Sequence, residues 1–223
     1  MLPPVLTLDG PSGVGKGAVG RHLAAHLGWH YLDSGVFYRV LAYLALNHHV
    51  LATDHKGIVL LAQSLMVQFG LTGEIFLEKQ DIGGAIRDET CGYMASQVAA
   101  IPAVRAVLLE KQRAFRQWPG LVADGRDMGT VVFPDAFLKI FLDATSEARA
   151  LRRYHQLKES RLDVNLGDLL SKITLRDLQD RQRAISPLCQ ASDAVLIDTT
   201  VLDVAAVIQR VETAIENAKN RGT

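Results

Sequence analysis

Gly10-Pro11-Ser12-Gly13-Val14-Gly15-Lys16-Gly17 lies between an apolar run, Val5–Leu8 closed by Asp9, and a segment where Val19, Leu23 and Leu27 recur every four residues up to Gly28. The run reads as a buried parallel strand. The periodic segment reads as a helix that starts near Lys16 and ends at a Gly28 cap. Glycines let a backbone wrap closely around a polyphosphate, and a helix N-terminus aims free N–H groups and partial positive charge at it. Lys16 stands where a lysine reaches the outer phosphates. Strand, glycines, lysine and helix coincide, which favours a phosphate-binding P-loop over a turn that merely joins two elements.

Outward from the loop, strand-like runs recur at Trp29–Leu32, Leu121–Ala123, Leu138–Leu142 and Ala194–Ile197. Helical patterns fill Ala103–Trp118, Ser146–Lys158 and Val204–Ala218. Alternating β and α segments predict an α/β fold, a parallel sheet with helices on both faces. The middle breaks this rhythm. Leu65–Phe69 and Glu74–Lys79 flank Leu71-Thr72-Gly73, a hairpin signal, and a hairpin in a parallel protein reads as an insertion at the rim of the sheet.

The chain has 223 residues with 24 basic and 24 acidic side chains, which suits one domain with an insertion and gives no overall field for nucleic acid or membrane. Arginine outnumbers lysine 16 to 8, and arginine is the fork-shaped donor favoured for phosphate oxygens. Cys91 and Cys189, the two cysteines, lack metal-site or disulfide spacing and read as small apolar residues. His22 and His26 share a helix face without the glutamate of a zinc-protease motif, so an exposed face is the expectation. Met128 and Trp118 read as packing residues. The N-terminus carries no charged leader pattern and no run reaches membrane-span length, so a cytoplasmic protein is expected.

A phosphotransferase needs a second anionic substrate. Asp33-Ser34-Gly35 follows the second strand and leads to Tyr38-Arg39; Ser34 and Arg39 stand where open α/β sheets place ligands, although a turn and helix cap fits the same residues. Asp124-Gly125-Arg126-Asp127 leaves the strand Leu121–Ala123, and a carboxylate there, beside a P-loop, is the usual Walker-B-like place for Mg²⁺. Asp124 is therefore the candidate for the metal. Arg149, Arg152 and Arg153 share one helix face without an acidic residue at compensating spacing, and such a face is mildly unfavourable unless an anion sits on it. Arg176, Asp180 and Arg183 form a second stripe.

Together these segments resemble the bacterial cytidylate kinases, P-loop kinases of nucleoside monophosphates. Asp9-Gly-Pro-Ser-Gly, Asp33-Ser-Gly-x-x-Tyr-Arg39, Ser96-Gln-Val-Ala-Ala, Val104-Arg105, Asp124-Gly-Arg-Asp-Met-Gly-Thr-Val-Val-Phe-Pro134 and Arg176…Asp180…Arg183 carry the likeness over nearly the whole chain. It implies a P-loop NTPase-type sheet with a monophosphate-binding insert and a short helical lid. Core would be residues 1–40, 101–147 and 185–223, insert 41–100 and lid 148–184. It implies transfer of phosphate from ATP to CMP and dCMP in pyrimidine nucleotide metabolism, with Mg²⁺ as cofactor, no nucleic-acid or membrane partner, and a monomer. Residues matching Ser96, Arg105 and Asp127 meet the cytosine. Those matching Ser34, Arg39, Arg126 and Arg183 meet the phosphate, with Tyr38 beside them, and those matching Arg176 and Asp180 serve the sugar. Gly10, Pro11, Ser12, Gly13, Val14, Gly15, Lys16, Gly17 and Ala18, with Arg152 and Arg153, fall to ATP. Lys16, Arg126, Asp127 and Arg183 carry the catalytic role.

Two positions depart from the family. Ala18 stands where threonine is usual, which removes a phosphate contact and opens a question about metal attachment. Ala85, before Ile86-Arg87, stands where glutamate is usual and touches only the insert. The loop alone also allows a kinase for UMP, AMP, GMP or shikimate, or a weak nucleotide-binding protein because of Ala18. A GTPase would carry an Asn-Lys-x-Asp guanine motif, which is absent.

Overall fold

Five short runs of the chain pair in parallel, and the three central ones are apolar and closed to water on both faces, as parallel strands require. The computed structural model describes residues 2–69, 74–159 and 163–221. The elements in chain order are β1 (Val5–Asp9), α1 (Lys16–Leu27), β2 (His30–Asp33), α2 (Ser34–Asn47), α3 (His55–Ser64), β3 (Gln68–Phe69), β4 (Ile75–Leu77), β5 (Gln80–Asp81), α4 (Glu89–Val98) and α5 (Pro102–Arg113). They continue as β6 (Leu121–Gly125), β7 (Leu138–Asp143), α6 (Ser146–Glu159), α7 (Leu166–Gln182), β8 (Val195–Asp198) and α8 (Val204–Arg221). Two compact units result, Met1–Asp33 with Phe115–Thr223, and Ser34–Ala114.

The first unit holds the sheet, in the order β2-β6-β1-β7-β8. Leu6 and Leu8 of β1 share one core with Val19 and Leu23 of α1 and with Val207, Val211 and Ile215 of α8, a stripe at four-residue spacing. Each such side chain contributes about 1.5–3 kcal/mol on burial. Register then sets the chemistry. Leu8 and Asp33 both pair with Asp124, and Asp9 pairs with Gly125. Three carboxylates thus lie at or one residue before the ends of three adjacent strands on one edge of the sheet, the carboxyl edge where such folds bind ligands.

The second unit is mostly helical: α2 packs on α4, and α3 on α5. Lys111 of α5 donates to the Gln63 and Leu65 carbonyls at the end of α3, at 3.2 and 2.9 Å. β3 and β4 pair antiparallel, as do β4 and β5. Leu71-Thr72-Gly73, expected as a hairpin turn, lies outside the described residues. Among the described residues no single helix is long and apolar enough to cross a membrane.

Three local expectations shift. The helix expected to reach Trp118 ends at Arg113. Arg116 leaves the helical path to donate from Nε to the Pro3 carbonyl at 2.8 Å and to pair with Asp135 at 2.7 Å. Trp118, expected to pack, is 64% exposed. Trp29 fills the space instead, its ring 2.5 Å from where a Gly120 side chain would begin. Cys91 is buried as expected, but Cys189 is exposed.

Two glycines show what the chain before and after α1 demands of the backbone. Gly10 has φ +148°, and a Cβ there would lie 2.0 Å from the Leu142 carbonyl oxygen. Gly28 caps α1 at φ +66° with open space around it. Gly10→Ala should cost roughly 3 kcal/mol or more, because main chain must move, and Gly28→Ala about 1 kcal/mol of backbone strain. Urea unfolding midpoints check this, and equal costs at the two sites would contradict it.

Candidate active site

The loop between β1 and α1 closes on its own lysine. Lys16 is 6% exposed, and its Nζ donates to the Gly10 and Pro11 carbonyls at 2.9 Å each. Gly13 and Gly15 hold φ of +83° and +98°. Two braces grip the loop from outside. Thr199 Oγ1 donates to the Val14 carbonyl at 3.3 Å, and Arg149 Nη1 to the Ser12 carbonyl at 3.1 Å. Ala18 is exposed, and its N–H turns back to the Gly15 carbonyl at 3.1 Å.

Charge is concentrated beneath this loop. Burial pulls the Lys16 ammonium below its ordinary pKa, and Arg126 adds to this, while Asp124, Asp33 and Asp9 oppose it. Burial likewise pushes the Asp124 carboxyl up against the pull of Lys16. Tyr31 donates its hydroxyl proton to Asp124 Oδ2 at 3.1 Å. A Cβ on Gly17 would lie 3.7 Å from that oxygen, so the lysine's neighbour and the carboxylate face each other. Asp9 is raised to about 6, chiefly by burial, although it accepts the Met128 and Gly129 N–H groups at 2.9 and 2.7 Å. Those two bonds set the course of the loop that carries Arg126 and Asp127. After them the chain makes a π-helical turn, Met128–Val132. Met128 is fully buried, as a packing residue should be.

Arg126 Nε donates to Asp180 Oδ2 at 2.9 Å. Arg183, just past the end of α7, stands 3.9 Å from the other Asp180 oxygen. Burial alone would raise the Asp180 carboxyl, but Arg126, then Arg183 and Arg176, outweigh it and hold it below the usual range. Arg126, Arg176, Asp180 and Arg183 are therefore one electrostatic group.

The α6 arginines separate by environment. The carboxylate missing from their own helix arrives from α7: Arg149 is buried and forks onto Asp177. Arg152 donates to the Thr199, Thr200 and Leu202 carbonyls on the loop after β8. Arg153 is half-buried. His22 and His26 lie exposed on α1, with His22 3.8 Å from Glu212.

In the second unit, Ser34 is buried at the start of α2. Arg39 Nη1 donates to the Ile86 carbonyl at 2.7 Å. Arg105 is buried, donates to the Ala99 carbonyl at 3.2 Å and lies 5.5 Å from the centre of the Tyr38 ring. Ser96 Oγ donates to the Gly92 carbonyl at 3.2 Å on the same helix. Sequence reasoning missed Asp9, Tyr31 and Asp177. Asp9 was legible as the strand end that opens the Asp9-Gly-Pro-Ser-Gly motif and Tyr31 as a strand residue, but nothing local showed the partner of either. Asp177 had a signal, since the uncompensated α6 cations called for a carboxylate.

The Asp180 group has a measurable acid dependence. A carboxyl depressed on folding contributes stability that is present above its unfolded pKa, about 3.9, and lost as pH falls through the folded value. Asp180→Asn should cost roughly 3 kcal/mol near pH 7, the scale of breaking a buried pair. The gap to wild type should narrow only below about pH 4. Denaturant unfolding at several pH values checks this, and a gap that closes by pH 6 would contradict it.

The comparisons with known proteins bear on the fold and the family. A solved gluconokinase from Sinorhizobium meliloti 1021 superposes with TM-score 0.50 at 14% identity, covering 98% of this chain and 95% of that one, a likeness of fold. A cytidylate kinase from Stutzerimonas stutzeri (strain A1501) is 56% identical over 213 residues, 93% of each protein. Another, from Methylococcus capsulatus (strain ATCC 33009 / NCIMB 11132 / Bath), is 56% identical over 208 residues, 92% of this chain and 94% of the relative. A family model described as Cytidylate kinase matches residues 6–217, from β1 into α8, and with these identities the chain belongs to the cytidylate kinase family.

Proposed function

We infer that the chain transfers the γ-phosphoryl group of ATP to CMP and dCMP, giving CDP and dCDP. Family membership over residues 6–217 is the observation that carries the reading. A nucleoside monophosphate has a second pKa near 6, so its phosphate is mostly dianionic at pH 7 and needs no general base. The protein's work is to hold two anions in line and screen their repulsion.

Each residue follows from that task. The loop Gly10–Ala18 holds the triphosphate, with Lys16 at the outer phosphates. Arg152 and Arg153 belong to the same donor. Arg126 and Arg183, steered by Asp180, neutralise charge on the acceptor phosphate, with Ser34, Tyr38 and Arg39. Arg176 and Asp180 take the sugar. Ser96, Arg105 and Asp127 read the base. The core, insert and lid keep the boundaries 1–40, 101–147 and 185–223, 41–100, and 148–184. Ala18 leaves the donor without one neutral hydrogen bond, about 1 kcal/mol.

A divalent cation accompanies ATP in kinase chemistry, and we assign it as Mg²⁺. Among the described residues no cluster of three or more His, Cys, Asp or Glu side chains forms a metal cage. Asp124, buried opposite Gly17, would be the chain's oxygen donor to the cation. When bound, it supplies charge neutralisation on the phosphate oxygens. The protein works as a cytoplasmic monomer.

An assay of ATP-dependent conversion of CMP, dCMP, UMP, AMP and GMP tests the reading directly. Cytosine offers an amine donor and a ring-nitrogen acceptor, and uracil inverts both. CMP and dCMP should exceed UMP by roughly 10² in kcat/KM, because a polar pocket rejects inverted partners. Ser96→Ala should shrink that ratio, and comparable rates on UMP in the wild type would contradict the base assignment.

Lys16→Ala should fold yet lose roughly three orders of magnitude in kcat, since charge stabilisation at the transferred phosphate is the chief catalytic term. More than a tenth of wild-type turnover would remove Lys16 from the mechanism. A buried ammonium with a lowered pKa loses its proton earlier on the alkaline side. In the wild type, kcat/KM for ATP should therefore decline at a pH well below a free lysine's ~10.4. A profile flat to that value would show that the lysine is not depressed.

A further inference from the structure

Arg149 stands apart from the phosphate-binding reading of the α6 arginines. Its side chain is 3% exposed and is fully occupied by the protein. Nε donates to the Ala144 carbonyl at 3.0 Å, where β7 passes into α6. Nη1 donates to the Ser12 carbonyl at 3.1 Å, inside the P-loop, and to Asp177 Oδ1 at 3.0 Å. Nη2 completes the fork on Asp177 Oδ2 and also donates to Ser146 Oγ at 3.3 Å. The Arg149 Cβ lies 3.2 Å from where a Gly13 side chain would begin, so α6 rests directly on the loop.

The far end of the link is equally placed. Asp177 is buried on α7, one residue after Arg176 and three before Asp180, so Asp177 and Asp180 share a helix face. Asp180 holds Arg126. A guanidinium with a carboxylate fork is rigid in plane, and moving either partner breaks two charge-assisted bonds together. A buried pair of this kind is weak evidence for stability, because the desolvation of two ions offsets their attraction.

We propose that Arg149 is a positioning residue that, through Asp177, locks α7 to the Ser12–Gly13 turn of the P-loop, so that donor and acceptor binding are energetically coupled. The proposal rests on the assignment of α7 to the acceptor made above. A triphosphate that orders the loop fixes the Ser12 carbonyl and hence Arg149, which holds α7 with Arg176 and Asp180 set for the monophosphate. By linkage the monophosphate tightens the triphosphate by the same factor. Lysine cannot replace the fork, since one ammonium cannot bind both Asp177 oxygens in plane and reach Ser12.

The test uses the full chain as wild type, Arg149→Lys, Asp177→Asn and the double variant Arg149→Met with Asp177→Leu. The double variant removes both buried charges at similar volume, a change that is often neutral or stabilising. Titration calorimetry reads the Kd of CMP alone and with saturating Mg²⁺ and adenosine 5′-(β,γ-imido)triphosphate, beside kcat and a thermal melt. Wild type should bind CMP roughly fivefold or more tighter with the analogue present. The double variant should melt near wild type and bind CMP alone within about threefold of it, but show a coupling factor near one and a kcat roughly tenfold lower or less. Arg149→Lys and Asp177→Asn should lose coupling in the same direction.

A wild type without coupling overturns the proposal. So does a folded double variant, or a folded Arg149→Lys, with wild-type coupling and kcat. Unfolding of both would assign the pair a structural role only and overturn it equally. Asp180→Asn separates the underlying reading: unchanged CMP affinity there rejects the acceptor role of α7, whatever the Arg149 variants do.

Discussion

A cation without free water has to be balanced by carboxylates, and the ammonium of Lys16 imposes that requirement on the sheet unit. It lies beneath its own loop, against the carbonyls of Gly10 and Pro11. Asp9, Asp33 and Asp124 oppose its loss of charge, and all three lie at or next to the ends of parallel strands on the same edge of the sheet. A one-residue slip of β6 against β1 would turn Asp124 to the other face of the sheet. The register that buries Leu6, Leu8 and Val122 in one core is thus the register that balances the lysine. Packing and charge specify the same alignment.

The balance is not neutral throughout. Asp9 and Asp124 are held above the ordinary carboxylate range by burial, whereas Asp180 is held below it by arginines. Carboxyls that differ this much within one unit do different work. Asp180 remains a firm anion that orients Arg126 and Arg183. Asp124, hydrogen-bonded by Tyr31, is pushed up by burial against the pull of Lys16. Asp9 acts as an anchor, and its two backbone bonds fix the chain just after Arg126 and Asp127. Perturbed carboxyls gathered at a phosphate loop are the usual mark of a chemical site.

Arginine identity matters because each fork is used differently. Arg149 joins two helices and the loop, Arg152 gathers three carbonyls after β8, and Arg126 binds a carboxylate from α7. Arg149 and Arg152 belong to one cation-rich stretch, whereas Arg126 stands between Asp124 and Asp127. The partners that set them apart, Asp177 and Ser12 for Arg149, the Leu202 carbonyl for Arg152 and Asp180 for Arg126, lie 28 to 137 residues away in the chain, so no local spacing identifies them. Thr199 shows the same dependence on distance, since it joins the Val14 carbonyl from 185 residues away.

Local chemistry was enough to read the architecture. The P-loop, its strand and its helix follow from glycine freedom, a single lysine and a four-residue apolar period, and the Gly28 cap follows from the same rules. The three central strands of the sheet were legible as apolar runs because buried parallel strands admit little else, and the exposed edge strands β2 and β8 were legible from their place in the alternation of β and α segments. Helix ends were less legible. Arg113 ends α5 because Arg116 finds Pro3 and Asp135, neither of which is near it in sequence. For the candidate site, residue types and motif spacing named Lys16, Arg126, Asp127 and the α7 stripe. Partners were decided by the tertiary structure alone: Asp177 for Arg149, Asp124 for Tyr31, and the backbone of Met128 and Gly129 for Asp9. The physical reason is common to all three. A motif records what a side chain can do, whereas burial, register and distant carboxylates decide which charge it meets.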